Sequence, residues 1–482
     1  MAKLSKRAAS LIGLGVALVV LAGAYVLIQV LPGGAQETPS PAAEEIVLYE
    51  SDEADVAGFT LENAAGSYAV IVGRQQETMT TYTIEGYPDV PVNEANARDV
   101  LTNVSKIPAV SVVEEETPGD LIPYGLDPAA ATATIDFTDG SSEVFYVGNK
   151  TGAGNTYYMM KQDDPAVYEV KLLYADRFSY TLEDMVKTDV LPMINTVALE
   201  RMVLKRAGQP DIETAAYVTP EGQPHIGVSG FKVISPFSRP RDIDAEALDA
   251  FLQNVSAIEI SGVASLDGDE LDRYGLAEPR IELLEKDADN TLHVYFGDDI
   301  GENAVACMVE GYTPVYTVDT DSISFLEELK ASELADKFLL LPMIDDVEGI
   351  DVSIGGHDYA MTIERRTEEA ENEDEEDEII ETFFLDGVQR DEEVFRDAYS
   401  AVIGVRADTY ADDPALTEGD PVASVTYHFT AGDPLTVSYY PYDTDFYAGA
   451  VDGETQALVA KRKVDAIAGA IEDLQESEYV EE

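Results

Sequence analysis

Chemistry in this chain of 482 residues would have to come from four histidines, one cysteine and an excess of acids. The histidines are His225, His293, His357 and His428, and none falls in His-Glu-x-x-His or another ligand spacing. His293 and His428 sit inside strand-like runs and read as sheet residues. One cysteine and scattered histidines do not make a zinc tetrad. Cys307 lies in the strand-like run 304–309 and reads as a small buried hydrophobe; a lone cysteine excludes an internal disulfide. Asp267-Gly268-Asp269-Glu270 and Asp287-Ala288-Asp289-Asn290 space carboxylates as calcium loops do. They lack the glycine and distal glutamate of an EF-hand, and read as turns. The Gly-rich stretch from Gly148 to Asn155 places Lys150 before its last glycine, and a strand-like run follows. A phosphate-binding loop carries Lys-Ser/Thr after the last glycine and opens a helix, so this one is a hairpin turn. There is no Gly-x-Ser-x-Gly and no Walker motif. No catalytic, cofactor-binding or metal-binding residue is expected.

What does recur is a turn. Tyr124-Gly125-Leu126-Asp127-Pro128 returns 150 residues on as Tyr274-Gly275-Leu276-Ala277-Glu278-Pro279. Each copy is followed by strand, polar turn and strand, the second strand ending in Gly148 or Gly297. Val167-Tyr168 matches Val315-Tyr316, and Leu191-Pro192-Met193-Ile194 returns as Leu341-Pro342-Met343-Ile344. Matches at one offset are the signature of a duplicated domain. A third, degenerate copy carries Phe429-Thr430-Ala431-Gly432 in place of Phe137-Thr138-Asp139-Gly140, with Tyr410 or Asp420-Pro421 standing for the motif. The repeated set is Tyr124, Gly125, Leu126, Pro128, Gly148 and Tyr168, then Tyr274, Gly275, Leu276, Pro279, Gly297 and Tyr316. Glycine permits positive φ and proline blocks helix. Recurrence in each domain favours a structural joint over a ligand site. The tyrosines offer stacking surfaces for sugars, a reading weakened by the absence of Trp.

The elements that would position these residues are mainly antiparallel strands with flanking helices, an α+β class. Residues 46–188 form repeat domain 1, with strands at 59–62, 68–72 and 80–84, a helix over 93–106 capped by Asn93, and a short helix near 172–180. Residues 189–338 form repeat domain 2, with strands over 199–205 and 225–234 and a helix over 244–255 capped by Asp244. Residues 339–475 form degenerate domain 3, with strands at 350–354 and 359–365, an acidic loop at 367–378, a helix over 392–402 and a closing helix over 464–474. An acidic block of that kind repels itself and suits an overgrown hairpin loop. Residues 476–482 are an acidic tail.

Residues 1–7 are a basic head, and residues 8–31 carry no charge over 24 positions, enough for a membrane-spanning helix with the N-terminus cytoplasmic. A cleaved signal peptide ending near Ala35 is the rival, and no cysteine follows for a lipid anchor. Residues 32–45 read as a flexible tether. The net charge of −64 speaks against nucleic acid as a direct ligand.

The Tyr-Gly-Leu motifs, the strands ending in Gly148 and Gly297, the Val-Tyr pairs and the apolar N-terminal segment together resemble the bacterial domain-of-unknown-function 4340 family. Members often carry Trp in the third strand; here Tyr82 stands at that place. The resemblance implies a membrane-anchored extracytoplasmic protein associated with an ABC transporter of the gliding-motility type, and brings no catalytic residues. The expected function is a single-pass scaffold or accessory protein of an envelope ABC-type transport system. Its expected partners are the bilayer, through residues 8–31, the transporter permease and envelope proteins. The alternative is an extracytoplasmic glycan-binding or envelope-modifying enzyme with an inter-domain site.

Overall fold

A computed structural model describes residues 45–75, 79–368, 378–410 and 419–479. The expected membrane span, the tether and most of the acidic loop lie outside these residues. Among the described residues no helix is long and apolar enough to cross a membrane.

Three antiparallel sheets of nine strands follow one another along the chain. The first holds β1 (Ile46–Tyr49), β2 (Val56–Asn63), β3 (Gly66–Gln75), β4 (Met79–Ile84), β5 (Ile107–Glu114), β6 (Ala131–Phe137), β7 (Ser142–Lys150), β8 (Thr156–Lys161) and β9 (Val167–Lys171). The second holds β10 (Leu199–Arg206), β11 (Ile212–Ala216), β12 (Phe231–Ser235), β13 (Arg241–Asp242), β14 (Ile260–Ser265), β15 (Ile281–Asp287), β16 (Thr291–Asp299), β17 (Ala304–Val309) and β18 (Val315–Asp319). The third holds β19 (Val347–Ile354), β20 (His357–Glu368), β21 (Glu378–Leu385), β22 (Val388–Gln389), β23 (Thr409–Tyr410), β24 (Ala423–Phe429), β25 (Leu435–Pro441), β26 (Phe446–Val451) and β27 (Glu454–Ala460).

The strand orders are β1-β5-β9-β8-β7-β6-β2-β3-β4, β13-β12-β11-β10-β15-β16-β17-β18-β14 and β22-β21-β20-β19-β24-β25-β26-β27-β23. One plan underlies all three. A first meander and a second meander meet through their leading strands, and the strand that follows the helix returns to the far side beside the last strand. The central pairs are in the same register: Phe59 faces Ile135, Met202 faces Glu285, and Ile350 faces Tyr427. Strands β6, β15 and β24 alternate buried and half-buried residues, as a sheet covered on one face requires.

The covering helices are α1 (Glu94–Ser105), α2 (Leu172–Arg177), α3 (Leu182–Met185), α4 (Ala245–Ser256), α5 (Thr320–Glu328), α6 (Ala331–Leu334), α7 (Glu392–Ile403) and α8 (Lys461–Glu476). Asp244 caps α4 by accepting from the backbone N–H groups of Glu246 and Ala247, and Asp391 caps α7 through Val394 N–H. The buried stripes are Leu248, Phe251, Leu252 and Val255 on α4, and Phe395, Ala398, Tyr399 and Val402 on α7.

By its internal contacts the chain forms two compact units. One comprises the residues up to Val72 with Ala95–Thr181; the other comprises Gly73–Glu94 with Leu182 onward, and so contains the second and third sheets.

Three expectations need correcting. The strand placed over 225–234 begins only at Phe231, because the preceding backbone pairs with the segment entering the third sheet: Ile226 bridges Pro342, and Gly227 N–H donates to Leu341 O at 2.6 Å. Strand β11 lies where no strand was anticipated, its five residues being too few to show a period. Tyr410 is not a worn copy of the turn motif; it belongs to β23, which pairs with β27 as β14 pairs with β18.

Candidate functional site

The repeated motif is a joint between three parts of its own sheet. Gly125 and Gly275 end short 3-10 turns in the left-handed region, at φ 66° and 67°. The carbonyl of the preceding tyrosine then lies against the strand glycine: a Cβ on Gly148 would stand 2.2 Å from Tyr124 O, and one on Gly297 2.0 Å from Tyr274 O. The phenol hydroxyls reach the returning strand, Tyr124 donating to Glu114 at 2.8 Å and Tyr274 to Ala264 O at 3.1 Å. Leu126 and Leu276 are buried, whereas Pro128 and Pro279 enter the strands β6 and β15. Tyr168 donates to Asp164 at 2.9 Å, and its hydroxyl is pushed up to about 12, by partial burial first and that carboxylate second. Tyr316 is fully buried. None of the twelve residues opens onto a cavity described below.

The histidines are dispersed. His225 Nδ1 meets Asp346 at 2.7 Å, His428 Nε2 meets Asp351 at 2.8 Å, and His293 lies between Glu282 at 3.0 Å and Glu310 at 2.7 Å. Burial pushes the Cys307 thiol up to about 12. Among the described residues no three His, Cys, Asp or Glu side chains converge to hold a metal ion.

The candidate site is a cleft between the second and third sheets, with a cavity of about 430 Å³. Its floor is the segment 336–343, strapped to both sheets. Toward the second, Asp336 N–H donates to Asp242 O at 2.8 Å and Met343 N–H to His225 O at 3.0 Å. Toward the third, Ala407 N–H donates to Lys337 O at 2.7 Å and the Tyr399 hydroxyl to Pro342 O at 2.8 Å.

One wall holds a buried ion pair. Lys232, 4% exposed, donates to Asp242 at 2.7 Å and to Ile226 O at 2.6 Å, and its ammonium lies 5.5 Å from the centre of the Tyr217 ring. The other Asp242 oxygen accepts from Val228 N–H at 2.6 Å and Ser229 N–H at 3.3 Å. Gly227, at φ +83°, packs so closely that a Cβ would fall within 2.2 Å of that carboxylate.

The second wall is cationic. The Arg241 guanidinium packs on the adjoining rings of Phe237 (4.7 Å) and Tyr410 (4.8 Å), with Nη1 buried and without a partner, and burial lowers its pKa. Arg239 pairs with Asp452 and Ser238 donates to Glu454, both on the β26–β27 hairpin. Arg239 and Arg241 also line a neighbouring cavity of about 810 Å³, with Arg206 and Lys330. Among the described residues neither cavity is lined by histidine or cysteine; the larger one is lined by both members of the Ser238–Glu454 hydrogen bond. Sequence reasoning missed these residues. The signal was available in Phe231-Lys232-Val233-Ile234, where a lysine interrupts an apolar run.

The sequence profile of a domain of unknown function (DUF4340) matches residues 83–225 and 238–421. The first match begins before α1 and ends after β11; the second begins before α4 and ends just before β24, past α7 and β23. No curated protein and no solved structure matches the chain.

Proposed function

The chain belongs to the DUF4340 family, and from that premise we propose that it is a non-catalytic accessory subunit of an envelope ABC-type transport system, held to the membrane by residues 8–31 with its sheets outside. The observation that carries this reading is how the cleft between the second and third sheets spends its charges. Lys232 with Asp242 and Arg239 with Asp452 are committed to partners within the protein. These groups fix the shape and charge of the cleft and do not stand free for proton transfer. ATP hydrolysis then belongs to a partner.

Photocrosslinkers placed in residues 11–31 and at Gln223 test the reading. The expected result is capture of a multi-span permease from the first set and of an extracytoplasmic protein from the second, together with loss of the transporter's output on gene deletion. A second reading, a small envelope glycan, is favoured by aromatic rings at the two cavities, Tyr217 in the cleft and Phe237 and Tyr410 in its neighbour. Turnover of an envelope substrate by residues 46–482, with lipid alone captured by the crosslinkers, would replace the first reading with an enzymatic one.

A further inference from the structure

The second sheet departs from the other two at its centre. The core-facing position on the leading strand of the second meander holds Ile135 in the first sheet and Tyr427 in the third. In the second it holds Glu285, paired across to Met202 on one side and Leu292 on the other. Glu285 is 2% exposed, and its Oε1 meets no hydrogen-bond partner among the described residues. An unpaired carboxyl in such a place is costly, and retaining one calls for a reason.

The same substitution opens space. In the third sheet Tyr427 is fully buried, and Tyr399 of α7 bonds to Pro342 O. Leu252 lies as far past its cap Asp244 as Tyr399 lies past Asp391, and carries no hydroxyl to reach Pro192. With both tyrosines absent, a cavity of about 550 Å³ remains. Its walls include Leu191, Leu252, Val255, Leu283, Val294 and Phe296. The other acids lining it, Asp189 and Glu259, are exposed, and no Lys, Arg or His lines it. The entering segment is fixed over the sheet by Asp287, whose carboxylate accepts from Asn195 N–H at 2.6 Å.

We propose that this cavity binds an apolar amine, its hydrocarbon against Leu252, Val255 and Phe296 and its ammonium on the Glu285 carboxyl. Among small apolar ligands the amine has the strongest complement here. A carboxylate in low dielectric gains most from a cation, an anion is repelled by Asp189 and Glu259 at the rim, and an alcohol offers one neutral hydrogen bond. The chain's net charge of −64 also concentrates cations around it. Burial alone raises the Glu285 pKa to about 8, so near neutrality the empty carboxyl keeps its proton, and pairing with an ammonium releases that proton to the buffer.

The probes are cyclohexylamine, cyclohexanol and cyclohexanecarboxylate, titrated calorimetrically at pH 7 into the full chain in buffers of different ionisation enthalpy. The amine should bind at least tenfold more tightly than the alcohol, the carboxylate should not bind, and amine binding should release close to one proton. Glu285→Gln, which keeps shape and neutrality, should abolish both the preference and the release. Leu252→Tyr, which restores the third sheet's residue, should block the amine while the thermal transition stays cooperative. Equal affinity for amine and alcohol, an unchanged preference in Glu285→Gln, or no binding by the wild-type chain overturns the proposal.

Discussion

At the scale of single residues, Glu285 makes stability depend on pH. Its pKa is raised to about 8 in the folded protein from about 4.5. The native state therefore holds a proton that the unfolded chain gives up near pH 4.5, and this stability is lost as pH rises toward about 8 and is level beyond. At roughly 1.4 kcal/mol per pKa unit, the full loss is on the order of 5 kcal/mol. Urea denaturation of the wild type should show a decline from pH 5 to 8 that Glu285→Ile, the first sheet's choice, removes. Equal slopes in the two proteins would mean that the buried carboxyl finds relief that the structure does not contain. The joint glycines make a steric counterpart. Gly297→Ala puts a methyl 2.0 Å from a backbone carbonyl that cannot swing away as a side chain could. A loss of about 2–4 kcal/mol is expected, read as a fall in Tm.

At the scale of elements, the strands around the acidic loop pair all the way to Glu368 opposite Glu378, so the hairpin is complete without its connection. Replacing residues 369–377 with a short Gly/Ser turn should leave Tm within a degree or two; a large fall would show that the loop packs. Lys232→Met is the opposite case. It leaves Asp242 buried with backbone donors alone, and should cost about 2–4 kcal/mol in denaturant titrations. These two cases mark what could be read from the chain. The α+β class, the antiparallel meanders and the Asp244 cap follow from local period and capping chemistry, which nearby residues determine. β11, which pairs with its sequence neighbours β10 and β12, and the two-residue edge strands are too short to show a period, whereas the strapped segment 225–227 depends on Leu341 and Pro342, far along the chain. The cleft was illegible for the same reason: Lys232 looks like any interrupted strand until Asp242 and Ile226 are brought around it. Glu285 falls between the strand-like run 280–284 and the turn that begins at Asp287, and only alignment of the three central ladders shows it at a core position.

At the scale of the molecule, 94 acids against 30 basic residues make self-repulsion a general load on the fold. Raising NaCl from about 20 to 500 mM should therefore raise Tm by roughly several degrees, as the Debye length shrinks to a few ångströms. A fall would place the balance in attractive ion pairs such as Arg365 with Glu381. A chain so rich in strands also carries a hazard that its sheet borders answer. Strands β13, β22 and β23 have two residues each, β1 has four with a break in register, and β14 has two such breaks. A neighbouring molecule finds short or broken borders on the second and third sheets, while the six-residue β4 borders the first sheet. Crowding many copies side by side should thus spare the second and third sheets, and β4 is the border at which any fibril or swapped strand would begin.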